Sequence, residues 1–134
     1  MSQGPSHGEA GFELALATES SALVATVTGR IDAVEALIAI FLRIAEAVRT
    51  IGVRRVLVLD HTFGVVPPEA QLRRLFASLE GQAMEAVRLA YVDARGTAVS
   101  RMELGEILGR EHGYDCRVFD NEARARIWLH YGES

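Results

Sequence analysis

The chain has 134 residues, of which 49% are hydrophobic and 24% charged, and its formal net charge is −4. This length is typical of one domain, and the composition excludes a disordered or collagen-like chain. The acidic balance disfavours a nucleic-acid partner. All 14 basic residues are Arg, so a P-loop and Schiff-base chemistry, which both need Lys, are excluded.

Three features of the sequence indicate the domain organisation and the compartment. Residues 1–11 are small and polar, and we expect them to form a flexible tail before a single domain over residues 12–131. The longest apolar run, residues 36–42, is far shorter than the roughly 20 residues that cross a membrane. The lone cysteine, Cys116, cannot form an internal disulfide. We therefore expect a cytoplasmic protein without membrane insertion.

A β-hairpin is predicted to open the domain. Residues 12–17 partly alternate between apolar and polar side chains, and residues 22–28 are rich in β-branched residues, as is typical of strands. Gly29 is expected to end the second strand. The short polar connection over residues 18–21 predicts antiparallel pairing.

The strongest helix pattern covers residues 32–51. Its apolar side chains recur at i, i+3, i+4 spacing and are Val34, Leu37, Ile38, Phe41, Ile44, Ala45 and Val48. Asp32 is the predicted N-cap, and Gly52 is predicted to follow the last turn. Ile40 and Leu42 lie off the stripe, so they either form an exposed patch for a partner or homodimer, or are covered by a neighbouring element.

Three strand–helix units are predicted to follow. The strands are residues 53–59, 87–92 and 116–119. The first of them ends in a continuous apolar run and is expected to be buried on both faces. The helices are one that starts at Pro67 or Pro68 and is closed by Gly81, one over residues 98–112, and one over residues 122–131.

Caps and apolar faces support these helices. Thr97 is the predicted N-cap of the third helix, and Asp120 or Asn121 that of the fourth. The side chains predicted to face the core are Leu72, Leu75, Phe76, Leu79, Met102, Ile107, Leu108, Ile127, Trp128 and Leu129. Gly105 and Gly109 are expected to permit close packing of the third helix, and Cys116 to be a buried, unreactive thiol.

The order of elements is β-β-α-β-α-β-α-β-α. It predicts an α/β fold with a mixed, mostly parallel sheet of about five strands and four helices. The opening hairpin supplies an antiparallel edge strand.

Phrases along this order resemble the STAS domain, the fold of bacterial anti-sigma-factor antagonists and sulfate-transporter tails. They are Val27-Thr28-Gly29-Arg30-Ile31, Arg54-Arg55-Val56-Leu57-Val58-Leu59-Asp60, Gly96-Thr97-Ala98-Val99-Ser100-Arg101, Arg117-Val118-Phe119-Asp120-Asn121-Glu122-Ala123 and Ile127-Trp128-Leu129. The chain is similar above all to a bacterial STAS-like family of small stand-alone proteins, which are also likened to lipid-binding CRAL-TRIO domains. The resemblance spans residues 12–129 and implies a regulatory module with a protein partner.

The phosphorylation switch of the antagonists is expected to be lost. In that family an Asp ends a strand, and an Asp-Ser-Ser-Gly stretch with a phosphorylated serine follows. Here Asp60 ends the strand, but no Ser or Thr occurs between Phe63 and Ala77. The phosphoserine position falls near Glu69, which is either a permanent negative charge or an ordinary first-turn residue. The candidate interaction surface is Asp60, His61, Thr62, Glu69 and Arg73.

The remaining chemical candidates lie at strand ends. Asp32, Asp60, Asp93 and Asp120 each follow a strand, but two of them are explained as caps, so no metal or other cofactor is expected. Another candidate site, for an anion or small ligand, is Asp93, Arg95, Gly96 and Thr97, where a helix N-terminus is preceded by an Arg.

Three functions stay open from the sequence. The leading one is a non-enzymatic protein-interaction module that acts through residues 60–79. The second is a carrier of a small apolar or lipid-like ligand, held in a small cavity between the sheet and the helices. The third is a small enzyme that uses Asp60, His61 and Asp93, with Thr62 as a possible nucleophile. Adjacent residues of an extended chain point in opposite directions, so Asp60 need not touch His61.

Overall fold

The strand Arg55–Asp60 lies at the centre of the sheet and is buried on both faces. The computed structural model describes residues 6–7, 11–65, 67–94 and 99–132, with side chains for all of these except 6, 7 and 99–102. Val56 and Val58 belong to one hydrophobic cluster, and Leu57 and Leu59 belong to another. The predicted burial of this strand on both faces is confirmed.

The elements follow the predicted order with two short additions. In chain order they are β1 (Ser6–His7), β2 (Phe12–Glu19), β3 (Ala22–Ile31), α1 (Val34–Ile51), β4 (Arg55–Asp60), β5 (Phe63–Gly64), α2 (Glu69–Ser78), a 3₁₀ turn (Met84–Ala86), β6 (Arg88–Asp93), α3 (Val99–Glu111), β7 (Asp115–Phe119) and α4 (Glu122–Tyr131). In the described ranges the sheet order is β1-β2-β3-β4-β6-β7, and β5 pairs with β3 off this path.

The pairing confirms an α/β fold with a mixed, mostly parallel sheet. β2 pairs antiparallel with β3, and β3, β4, β6 and β7 are parallel. Within the described part of the chain, six strands lie along the sheet where about five were predicted, because β1 adds a short antiparallel pairing to the start of β2. The hairpin therefore does not supply the outermost strand at that end.

The prediction that Gly29 ends the second strand is wrong. β3 continues to Ile31, and Gly29 pairs with Phe12 inside it. Its φ is +102°, and a Cβ there would lie 2.3 Å from the carbonyl oxygen of Gly11. This glycine therefore permits a close approach of two backbone segments instead of stopping the strand.

Helices cover both faces of the sheet. α1 and α2 contribute to the cluster that contains Val56 and Val58, and α3 packs on β7 and α2. α4 covers the opposite face, where Ala125, Trp128 and Leu129 meet Leu57 and Leu59. No helix in the described ranges is long and apolar enough to cross a membrane.

In α1 the structure decides between the two predicted alternatives for Ile40 and Leu42, and the N-cap differs from its prediction. Ile40 is only 1% exposed and lies in the core, and Leu42 packs against it, so these residues are covered and form no exposed patch. The N-cap is Ala33, without a side-chain hydrogen bond, because the carboxylate of Asp32 pairs with Arg30 at 2.7 Å. The end at Gly52 is confirmed by its φ of +85° and its bond to the carbonyl of Val48.

In α2, α3 and α4, most of the side chains predicted to face the core and described in the structure are at least partly buried. Leu72, Leu75, Leu79, Leu108, Trp128 and Leu129 are buried, and Phe76 is partly buried. Ile107 and Ile127 are exposed, contrary to prediction. The side chain of Met102 and all of Thr97 lie outside the described residues.

The predicted helix ends and glycine contacts have mixed outcomes. α2 starts at Glu69 with Pro68 as its N-cap, slightly later than predicted. Asn121 caps α4 by accepting a bond from the backbone N–H of Arg124 at 2.9 Å. Gly109 is closely packed as predicted, but a Cβ on Gly105 would have no neighbour within 4 Å.

Candidate functional site

The carboxylate of Asp60 organises the turn after β4. Its Oδ1 accepts hydrogen bonds from the backbone N–H of Thr62 at 2.8 Å and from the Thr62 hydroxyl at 2.6 Å. Its Oδ2 accepts a bond from the buried hydroxyl of Tyr91 on the neighbouring strand β6. An Asp that bonds the backbone two residues ahead stabilises a turn. Asp60 therefore ties this turn to the interior of the sheet.

The same loop is anchored to β3 by its backbone. The N–H of His61 donates to the carbonyl of Val27 at 2.8 Å, and β5 pairs with Arg30 and Ile31. At Gly64 the φ is +123°, and a Cβ would lie 1.8 Å from the Ile31 carbonyl oxygen. Only glycine fits here without moving the backbone.

The anchored loop presents apolar side chains to solvent. Phe63 is 52% exposed and Val65 is 60% exposed, and His61 beside them is also exposed. Single exposed apolar residues are common on protein surfaces. Two of them within three residues, on a loop held by side-chain and backbone bonds, form a small apolar projection at the carboxyl edge of the sheet.

The outer face of α2 adds charged side chains to this region. Arg73 donates to Oε2 of Glu69 through Nε at 2.9 Å and Nη2 at 2.8 Å, and its Nη1 lies 3.5 Å from Oε1 of Glu111. The hydrogen bond with Glu69 raises the pKa of Arg73. Glu69 thus lies in the first turn, as predicted, but its charge is locally balanced by the Arg73 guanidinium.

The structure brings Asp60 and Asp93 side by side. They are register partners at the ends of β4 and β6, and Asp93 is only 7% exposed. Arg95, Gly96 and Thr97 lie outside the described residues, so the anion-site prediction stays a prediction. Within the described ranges no group of three potential metal-ligating side chains is present.

The side chains of Asp60 and His61 do not act as a pair. The Asp60 carboxylate turns inward to Tyr91 and Thr62, and His61 points to the exposed surface. The hydroxyl of Thr62 donates a hydrogen bond to Oδ1 of the Asp60 carboxylate and makes no hydrogen bond with His61 within the described residues. The hydrogen bonds of Asp60 with Thr62 and Tyr91 thus account for the conformation of the turn.

Two residues of this region escaped the sequence-based prediction. Tyr91 belongs to a predicted strand, and a buried tyrosine hydroxyl usually finds a polar partner. Phe63 lies in a predicted loop, and it becomes a signal of a contact surface only together with a second apolar residue close by, here Val65. Either signal could have placed these residues at the site.

Comparison with known proteins supports the fold. No protein-family model matches the chain, and no curated protein matches it. The structure is similar to the crystal structure of an anti-sigma factor antagonist from Mycobacterium paratuberculosis, with a TM-score of 0.58 and 21% sequence identity, over 88% of this chain and 93% of that chain. The chain has the fold of an anti-sigma-factor antagonist, the STAS fold that its sequence resembles.

Proposed function

We propose that this chain is a regulatory module that binds a protein partner through a loop–helix surface. This surface consists of His61, Phe63, Val65, Glu69 and Arg73. The observation that carries the proposal is the anchored loop, which presents two exposed apolar side chains a few residues before the charged first turns of α2. The structural likeness to an anti-sigma factor antagonist suggests a partner of the anti-sigma-factor class.

The geometry favours binding because the loop is already ordered. Immobilising a flexible loop on association costs free energy, and a pre-ordered loop avoids that cost. Full burial of a Phe or Val side chain stabilises a complex by about 1.5–3 kcal/mol. Phe63 and Val65 therefore supply the apolar centre, and Glu69 and Arg73 form a charged rim.

We propose further that this surface works without a phosphoserine switch. The segment between Phe63 and Ala77 contains no Ser or Thr that could accept a phosphate. By the sequence resemblance, the phosphoserine position falls near Glu69, which is paired with Arg73. Recognition would then depend on fixed charges and on the amount of partner.

The test compares matched surface variants in a binding assay. Phe63→Ser/Val65→Ser removes the apolar centre, and Ile127→Ser removes an equally exposed apolar side chain on α4, on the other face of the sheet. A partner found by quantitative affinity capture is purified, and its Kd is measured by calorimetry. We expect the double variant to weaken binding by at least about tenfold, which is about 1.4 kcal/mol. Ile127→Ser should leave the Kd unchanged.

Two further measurements complete this test. Glu69→Gln should weaken binding by less than the double variant, because it changes only the rim. Unchanged melting temperatures of all variants would show that the fold is intact. Equal binding by the double variant and the wild type would contradict the proposed surface. If sedimentation velocity shows a dimer that only the double variant dissociates, the partner is a second copy of the chain.

A further inference from the structure

One tyrosine of the sheet interior reaches the turn that carries the loop–helix surface. Tyr91 lies on β6, is 7% exposed and stacks its ring on Phe41 of α1, with ring centroids 6.3 Å apart. Its hydroxyl donates to Oδ2 of Asp60. Burial raises the pKa of Tyr91, and so do the carboxylates of Asp60 and Asp93. The hydroxyl therefore keeps its proton at neutral pH and remains a donor.

The position of this hydroxyl is fixed by the core of the domain and not by the loop. The strand β6 pairs with β4 on one side and with β7 on the other. The Tyr91 ring belongs to the same hydrophobic cluster as Phe41 and Val58. Because protein interiors are close-packed, a side chain in such a cluster can move little. Tyr91 is thus a fixed point that orients the neighbouring carboxylate.

The Asp60 carboxylate connects this fixed point to the loop. One of its oxygens accepts the Tyr91 hydroxyl, and the other accepts the backbone N–H and the hydroxyl of Thr62. Both oxygens belong to one planar group, so a rotation that moves one of them moves the other. Asp60 is half-buried, and a polar atom left there without a partner costs free energy. Without the tyrosine hydroxyl, we expect the carboxylate to turn toward water and to leave Thr62.

The exposed apolar side chains of the surface follow this turn directly. Behind the turn, the loop is held by the bond from the N–H of His61 to the carbonyl of Val27 and by the two-residue pairing of β5 with β3. Segments with few and exposed backbone bonds open easily. The turn formed by Asp60 is therefore needed to keep Phe63 and Val65 in place.

We infer that Tyr91 is a positioning residue of the loop–helix surface: its hydroxyl acts through Asp60 to keep the 61–65 loop ordered, and without it the loop opens while the domain stays folded. The inference rests on the proposed function only for the purpose of the loop, because the order of the loop is a property of the free chain. A partner binds more weakly when its binding-competent conformation is only partly populated. The sheet interior thus controls the affinity of a surface to which it contributes no contact.

The test is amide hydrogen exchange of the full chain, followed by NMR without any partner. Tyr91→Phe removes only the hydroxyl. Tyr114→Phe is the matched control, because the hydroxyl of this other buried tyrosine has no hydrogen-bond partner among the described residues. We expect the amides of His61 and Thr62 to exchange at least about tenfold faster in Tyr91→Phe, the effect of losing one hydrogen bond to a charged group. In Tyr114→Phe they should keep their wild-type rates.

A third variant and a distant amide separate this local effect from a general loss of stability. Thr62→Val removes the other hydroxyl on Asp60 and should accelerate exchange at His61 by a smaller factor, because the backbone bond of residue 62 remains. The amide of Gly52, at the end of α1, should keep its rate in Tyr91→Phe, since opening there leaves the Asp60 carboxylate in place. A hydroxyl that stabilised only the whole fold would keep its bond when the loop opened, and the loop amides would not respond.

Three results would overturn the inference. They are unchanged exchange at His61 and Thr62 in Tyr91→Phe, an equal acceleration of these amides in Tyr114→Phe, and an equal acceleration at Gly52. Loop amides that respond as expected, in a chain whose binding does not depend on the loop–helix surface, would refute the proposed function alone. Unchanged loop exchange with binding through that surface would refute the positioning role alone.

Discussion

Gly64 is the residue on which the position of the 61–65 loop depends. Its backbone has a φ of +123°, and the space where a Cβ would lie is occupied by the Ile31 carbonyl oxygen. The sequence placed this glycine in a loop, but it did not predict β5, because a pairing of two residues leaves no periodic pattern. The separation of Asp60 from His61 was predictable from local geometry. The bond between Asp60 and Tyr91 was not, because it joins residues on different strands.

Gly64→Ala should destabilise the protein more than Gly81→Ala does. Both glycines have positive φ, but a Cβ at Gly81 would meet nothing within 4 Å. The control thus carries only the backbone strain, about 1 kcal/mol, and Gly64→Ala adds a displaced loop. We expect a difference of at least about 1 kcal/mol in the free energy of unfolding from urea titrations. Equal losses would show that the β5 pairing contributes nothing.

Among the elements, apolar periodicity predicted where the helices lie, but it predicted less well which of their side chains are buried. Ile40 lies off the predicted stripe yet is buried, because α1 packs against both β3 and α2 and so buries a wider face. Ile107 and Ile127 are apolar positions of α3 and α4 that packing leaves exposed. Which flank of a helix is covered depends on its neighbours, and a single helix pattern does not contain that information.

Asn121 and Asp32 were both predicted to cap a helix, and their different outcomes can be tested by mutation. Asn121 caps α4 through its side chain, whereas Asp32 makes no cap and pairs with Arg30. Asn121→Ala should lower the free energy of unfolding by about 1 kcal/mol, the usual loss for an N-cap. Asp32→Ala should cost less, because an exposed ion pair contributes little. Thermal unfolding followed by circular dichroism would measure both, and a larger loss for Asp32→Ala would contradict the observed caps.

For the whole molecule, the order of strands and helices was enough to predict an α/β fold with a mostly parallel sheet, and the resemblance of the sequence phrases to the STAS domain implied the STAS fold. The alternation of strand and helix requires parallel crossovers, and the apolar run in β4 requires cover on both faces. A small apolar cavity lies between α2, α3 and the sheet. Its position could not be predicted, because it depends on how closely α3 packs on its neighbours, tightly at Gly109 and loosely at Gly105. The sequence located the candidate site at the strand ends, but it did not predict the exposed apolar pair, Phe63 and Val65.

The two faces of the sheet should unfold as one unit. Leu57 and Val58 are neighbours in β4, each 1% exposed, and they belong to opposite clusters. Because both clusters depend on the same strand, neither layer can lose its packing while the other keeps its own. Leu57→Ala should cost about 2–5 kcal/mol, and Val58→Ala about 2 kcal/mol from the carbon atoms removed.

In both variants, Trp128 fluorescence and far-ultraviolet circular dichroism should report one common midpoint in urea. Trp128 is the single tryptophan and lies in the cluster under α4, so its fluorescence follows one face, while circular dichroism follows all helices. Coincident transitions are the mark of two-state unfolding. If Leu57→Ala lowered the fluorescence midpoint and left the circular dichroism midpoint unchanged, α4 would detach on its own. The sheet would then join two separately stable layers, and the shared strand β4 would not couple them.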